Sequence, residues 1–194
     1  MNRLINLFLN PPVNGPAAIL ILRLMTGAVF LWEGLIKFVY VNQGIGRFTK
    51  LGIPFPEFSA NFVGVLEIVG GTCLILGLFT RVFSALFIIE MAVAMLSTKI
   101  GIYMGTSPLP LPPSPPQIGF WAVLHEIRSE YAQMLTCIFY SIVGPGVRSL
   151  DAVRQRNRTQ VVQSYKATST PPPRPQQQKI QKSPPPRRPP ESEL

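Results

Sequence analysis

Three long apolar runs, separated by links rich in glycine and proline, constrain this 194-residue chain more than any other feature of its sequence. The first covers residues 16–40, and a helix of about 25 residues rises roughly 37 Å, enough to cross a bilayer with some tilt. Pro16 suits a first helical turn, with Asn14 or Gly15 placed to cap it. Gly44, Gly46, Gly52, Pro54 and Pro56 then punctuate a loop over residues 42–56. A second span is expected over residues 57–78 and a third over residues 82–98. The link at Arg81 is short enough to force an antiparallel hairpin.

Beyond Lys99 the stretch SPLPLPPSPP cannot be helical and should be extended and exposed. IGFWAVLHEIR, residues 118–128, reads as a short interfacial helix that holds Phe120 and Trp121 at headgroup depth. A fourth span over residues 129–143 is stopped by the GPG at 144–146. The expected fold class is all-α: an integral membrane four-helix bundle with a short interfacial helix and a disordered C-terminal tail. Its parts are an N-terminal cytoplasmic segment (residues 1–15), the four-span domain (16–152) and a basic, proline-rich tail (153–194).

The formal charge of +9 belongs mostly to that tail. Residues 148–194 hold ten Lys and Arg against three Asp and Glu, which leaves the apolar body nearly neutral. Basic residues directly after a hydrophobic body set topology and meet anionic lipid, and no zinc spacing, stacking motif or recognition helix points to nucleic acid. Arg3, Arg81, Arg148, Arg154, Arg156 and Arg158 fall on one side of a four-span chain, so both termini are expected in the cytoplasm. Residues 159–194 are too polar to offset chain entropy by burial. The segment PPPRP fits an aromatic groove, although such tails commonly act as solvated spacers. Cys73 and Cys137 stand apart in apolar segments and read as small buried hydrophobes, with no metal spacing. No cleavage signature follows the first run, which is expected to remain as an uncleaved span.

The charges inside the spans are the candidate functional residues. At 100° per residue Arg23, Thr26, Gly27, Phe30, Glu33, Gly34 and Lys37 share one face of the first span, opposite Ile21, Leu24, Met25, Ala28, Trp32 and Leu35. The second span gathers Ala60, Gly64, Glu67, Gly70, Gly71, Leu74 and Gly77, and the third places Glu90 near Phe83, Phe87, Ala94 and Ser97. Ionisable groups in hydrocarbon face the bundle interior and seek partners. Depth along the helices gives two layers, Glu33, Lys37 and Glu67 in the outer half and Arg23 with Glu90 in the inner half. Glu33 and Lys37 lie one turn apart in the favourable order and are expected to pair, which leaves Glu67 as the carboxylate short of a partner. Such a network either fixes helix register or forms a proton-handling or ligand-binding pocket. His125, the sole histidine, stands beside Glu126 at the outer mouth and joins the candidate pocket, though capping or interfacial placement also explains it.

RLMTGAVFLWEGLIKF, FTKLGIPFPEFSANFVGVLEIVGGTCLILGLFTR and GPGVRSLD together resemble the DoxX family of small four-helix bacterial membrane proteins, over residues 16–152. GFW followed by HEIRSE is similar to one branch of that family. The resemblance implies the bacterial cytoplasmic membrane and an association with thiosulfate oxidation, quinone-linked electron transfer or oxidative-stress complexes. It implies quinone as the candidate cofactor and redox proteins as candidate partners, beside the lipid bilayer itself. Arg23, Gly34, Lys37, Glu67, Gly70, Gly71, Arg81 and Asp151 match recurrent family positions, and none is implied to be catalytic. The proline insert at 108–116 and the tail depart from the family pattern. The leading expectation is a membrane subunit without catalysis of its own. A proton-conducting or transport bundle using Glu33 and Glu67, and a membrane assembly factor acting through its tail, are the alternatives.

Overall fold

The computed structural model describes residue 13 and residues 15–169, and every described element is helical. Seven helices follow one another: α1 (Ile19–Val39), α2 (Ile45–Lys50), α3 (Pro56–Leu76), α4 (Thr80–Met104), α5 (Phe120–Glu126), α6 (Arg128–Val143) and α7 (Leu150–Ser169). Three of them, α1, α3 and α4, are long and apolar enough to cross a membrane. At 16 residues α6 is shorter, about 24 Å of helix.

α1 packs most extensively on α3, and α4 on α6. Glycines set the first contact. A Cβ at Gly27 would stand 2.6 Å from the Gly71 carbonyl oxygen, and one at Gly71 would stand 2.7 Å from that of Gly27. Farther along, a Cβ at Gly34 would meet the Gly64 carbonyl at 2.7 Å, so the two helices run antiparallel with backbones nearly touching. Phe30 from α1 stacks on Phe87 from α4 with ring centroids 3.7 Å apart, closing the centre. The expected inward face of α3 is the buried one, at Ala60, Gly64, Glu67, Gly70, Gly71 and Leu74. Ile21, Leu24, Met25, Trp32 and Leu35 of α1 lie outside, as hydrocarbon would select.

The α3–α4 link is a three-residue turn built by a tertiary cap. Gly77 ends α3 at φ 68°, and the Leu78 amide donates to the Cys73 carbonyl at 2.8 Å. Asp151, at the start of α7, accepts from the Phe79 and Thr80 amides at 3.1 and 3.2 Å and from the Thr80 hydroxyl at 3.3 Å. It supplies the N-cap that Phe79, at φ 48°, cannot give α4.

Three expectations change. Residues 42–56 are not all loop, since α2 winds one short helix inside them, with Gly46 in it. The third span extends at both ends, over 25 residues, because no breaker intervenes before Gly105. The tail was expected to be unstructured from residue 153, whereas α7 is helical to Ser169. Arginine and glutamine favour helix, and the Asp151 cap anchors the start, although Val153, Val161 and Tyr165 stay exposed. The N-terminal segment up to residue 12 and the proline-rich residues 170–194 lie outside the described residues. The proline stretch at 108–116 carries no helix and is largely exposed, and α5 forms where the interfacial helix was expected, with Phe120 and Trp121 exposed.

Candidate functional site

Lys37 decides the outer half of the bundle. Its ammonium lies 2.5 Å from a carboxyl oxygen of Glu67, across the α1–α3 contact, and reaches only the backbone carbonyl of Glu33, at 3.4 Å. The expected Glu33–Lys37 side-chain pair is absent. On the same face by projection, Glu33 is exposed, while Glu67 is 3 % exposed. Gly34 explains the choice, for it lets α3 approach until the Glu67 Cβ would stand 2.9 Å from a Cβ on α1. A buried carboxylate without a cation costs far more than an exposed one.

Glu90 belongs to this outer layer as well, which corrects its expected pairing with Arg23. α3 and α4 fold back about the turn at residues 77–79, so Glu67, ten residues before Gly77, and Glu90, eleven after Phe79, come to similar height. Their carboxyls lie within hydrogen-bonding reach of each other. Carboxylates only accept, so that contact becomes a bond when one of the two carries a proton. Oε2 of Glu90 is buried with no donor among the described residues.

Arg23 sits instead at the other end, 1 % exposed, and its Nη2 donates to the Arg148 carbonyl at 2.5 Å. Its guanidinium fills the space above Gly77, where any Cβ would fall 1.6 Å from Nη1. Nε and Nη1 of Arg23 find no acceptor among the described residues. Arg81 donates to the Ile142 carbonyl at 2.7 Å, and Arg154 lies over the Phe79 ring at 5.2 Å. This inner cluster ties α1, α3, α4 and α7 together and opens on no described cavity.

The outer cluster does open on one. A cavity of about 570 Å³ lies among α1, α2, α3, α4 and α6, and Glu33, Lys37, Glu67 and Glu90 all line it. Sequence reasoning missed three of its polar walls. Lys99, at the outer part of α4, pairs with Glu130 of α6 at 2.8 Å. Gln133, one turn further along α6, is 8 % exposed, and its Oε1 has no partner among the described residues. Arg47 reaches in from α2, bonded to Gln43 at 3.3 Å. The opposite charges at residues 99 and 130 were a legible signal for the ion pair; a single glutamine carries none. The side between α3 and α4 is apolar, walled by Phe62, Leu66, Leu86, Ile89 and Val93.

His125 does not join this cavity. It is exposed on α5, in a separate depression with Pro116, Trp121 and Leu124, and its carbonyl accepts from Arg128 at 2.5 Å. Its neighbour Glu126 lines the polar cavity instead. Among the described residues no group of three or more His, Cys, Asp or Glu side chains could hold a metal ion. Cys73 and Cys137 are both free thiols, with Cys137 fully buried.

Known proteins resemble this arrangement in sequence. The family model described as DoxX matches residues 18–100. "Uncharacterized membrane protein Rv3486" of Mycobacterium tuberculosis is 40% identical over 143 residues, 71% of this chain and 81% of that protein. "Putative oxidoreductase CatD" of Bacillus subtilis is 33% identical over 133 residues, covering 68% and 83% of the two chains. "Inner membrane protein YphA" of Escherichia coli is 26% identical over 137 residues, covering 70% and 89%. No solved structure matches the chain at a significant level.

Proposed function

The chain belongs to the DoxX family, and from that premise we propose that it serves as a membrane subunit without independent catalysis, working with redox partner proteins near the quinone pool of a bacterial cytoplasmic membrane. The observation that carries the reading is the Lys37–Glu67–Glu90 group, set against a cavity of about 570 Å³ whose side between α3 and α4 is apolar. Quinone reduction takes up protons with its electrons, and this group is placed to exchange them. In this reading the electrons come from the redox partner protein. The word oxidoreductase in the name of the Bacillus subtilis relative points the same way.

In this reading α6 completes a four-span bundle, running antiparallel to α4 through the Lys99–Glu130 and Arg81–Ile142 contacts. Both chain ends then lie on the cytoplasmic side, with residues 105–119 outside. Arg148, Arg154, Arg156 and Arg158, directly after α6, support that orientation. Purification in a mild detergent tests the function: quinone and a redox protein should accompany the chain, and their joint absence from preparations that retain the fold would overturn the reading.

A proton-conducting bundle is the second reading, favoured by the adjacency of the Glu67 and Glu90 carboxyls alone. Reconstituted vesicles would decide it, through a proton flux abolished by Glu67→Gln.

A further inference from the structure

The outer cavity holds unmet charge of both signs. Five carboxylates and three cationic side chains line it, a formal acidic surplus of two. Lys37 and Lys99 hold Glu67 and Glu130, which leaves Glu33, Glu90 and Glu126 in no ion pair among the described residues. On the cationic side Arg47 is left over. Its guanidinium bonds to the neutral side chain of Gln43 at 3.3 Å and to no carboxylate among the described residues.

Two of the unpaired carboxylates stand together. Glu33 and Glu90 both lie within electrostatic reach of Glu67, so three carboxyls gather about the Lys37 ammonium. Glu90 keeps a buried oxygen without a donor, and on the α6 wall Gln133, only 8 % exposed, keeps its Oε1 unpartnered among the described residues. A positively charged group with several N–H bonds meets all three acceptors at once. Arg47, reaching in from α2, calls for an anion.

The apolar side adds a third property. Leu86, Ile89 and Val93 of α4 line the cavity and are exposed on the outer surface of the helix, where hydrocarbon would lie. α3 and α4 touch far less than α1 and α3 do. The seam between them is therefore a side on which an alkyl chain passes from the bilayer to the cavity without crossing water.

We propose that the cavity receives the head of a membrane phospholipid that joins a primary ammonium to its phosphate, the phosphatidylethanolamine class, with the acyl chains leaving between α3 and α4. The phosphate lies on Arg47, whose planar fork matches phosphate oxygens. The ammonium donates its three N–H bonds to Glu33, Glu90 and Gln133. A choline head carries the same charge without N–H donors, and a glycerol head brings net negative charge to a lining already acidic. The inference stands apart from the quinone-linked reading, which copurification of quinone and a redox protein decides.

The test is displacement of an ethanolamine phospholipid, labelled on one acyl chain, from the full chain in mild detergent. Unlabelled competitors carry the same acyl chains and ethanolamine, choline or glycerol heads. The ethanolamine lipid should compete at least about tenfold better than the other two, a difference of about 1.4 kcal/mol. It should also far outcompete chain-free glycerophosphoethanolamine. Glu33→Gln, at an exposed position, should keep the melting temperature and narrow the preference over the glycerol head. Arg47→Met should weaken all three lipids alike, and Arg47→Lys should keep most of the affinity. No displaceable binding, equal competition by the choline or glycerol lipid, a preference untouched by Glu33→Gln, or an affinity untouched by Arg47→Met overturns the inference. A chain-free head that competes as well as the lipid also overturns it and assigns the cavity to a water-soluble zwitterion. Each of these results leaves the quinone-linked reading standing.

Discussion

Lys37 and Glu67, thirty residues apart, form the ion pair at the outer end of the bundle at 2.5 Å, while Glu33, one turn from Lys37, offers it only a backbone carbonyl. Lys37→Met should destabilise the protein by about 3–5 kcal/mol, because it strands the buried Glu67 carboxylate, and Glu67→Gln should cost less, because Lys37 is only partly buried. The double variant should recover most of that loss. Glu33→Gln should change stability by no more than about 0.5 kcal/mol, as an exposed substitution away from the pair. Thermal unfolding in one detergent, arranged as a double-mutant cycle, reads all four.

Close approach of α1 and α3 depends on the absence of side-chain atoms at Gly27 and Gly71. Gly27→Ala should cost about 1–3 kcal/mol, since its methyl would meet the Gly71 carbonyl oxygen and the Ile75 backbone amide, neither of which can swing away. The melting temperature of Gly27→Ala should fall well below that of the wild type, whereas Ala28→Ser, beside it on the outer arc, should change it little.

Asp151 caps α4 from 71 residues beyond Thr80 in sequence. Asp151→Ala should lower stability by about 0.5–2 kcal/mol, the ordinary value of a lost N-cap, and Asp151→Asn should lower it less, because the amide oxygen still accepts. Limited proteolysis should cut the Asp151→Ala chain sooner at the turn spanning residues 77–79 than the wild type.

Orientation gives a prediction that also tests α6 as a span. In a chain whose Cys73 and Cys137 are replaced by serine and alanine, a cysteine at Thr106 should react with a membrane-impermeant thiol reagent applied to spheroplasts. A cysteine at Gln163 should react only after permeabilisation. Both positions are exposed on the protein. Labelling of both from the same side would mean that α6 does not cross.

Much of the fold was legible before any coordinates. The buried face of α3 could be read from the spacing of Ala60, Gly64, Glu67, Gly70, Gly71 and Leu74, because side-chain direction follows the 3.6-residue period and small residues mark helix contacts. The same period placed Arg23, Thr26, Gly27, Phe30 and Gly34 inside. It did not bury Glu33, which lies at the margin of that arc, exposed on the wall of the outer cavity and not in the α1–α3 seam. The helical residues 153–169 were also missed, since composition reports the lack of a core and is silent about a helix anchored at one end.

Sequence alone determined that this is a helical membrane protein with charged, glycine-lined inner faces, because hydropathy and helical period are properties of each segment by itself. Only the tertiary structure decided which charges meet. Glu90 faces Glu67 because a three-residue turn mirrors α3 onto α4, and Arg23 closes over Gly77 because α1 lies antiparallel to α3 at glycine contact. Those offsets are fixed by packing between helices, and a one-turn shift of any of them, about 5.4 Å, would give Lys37 a different partner from the same sequence.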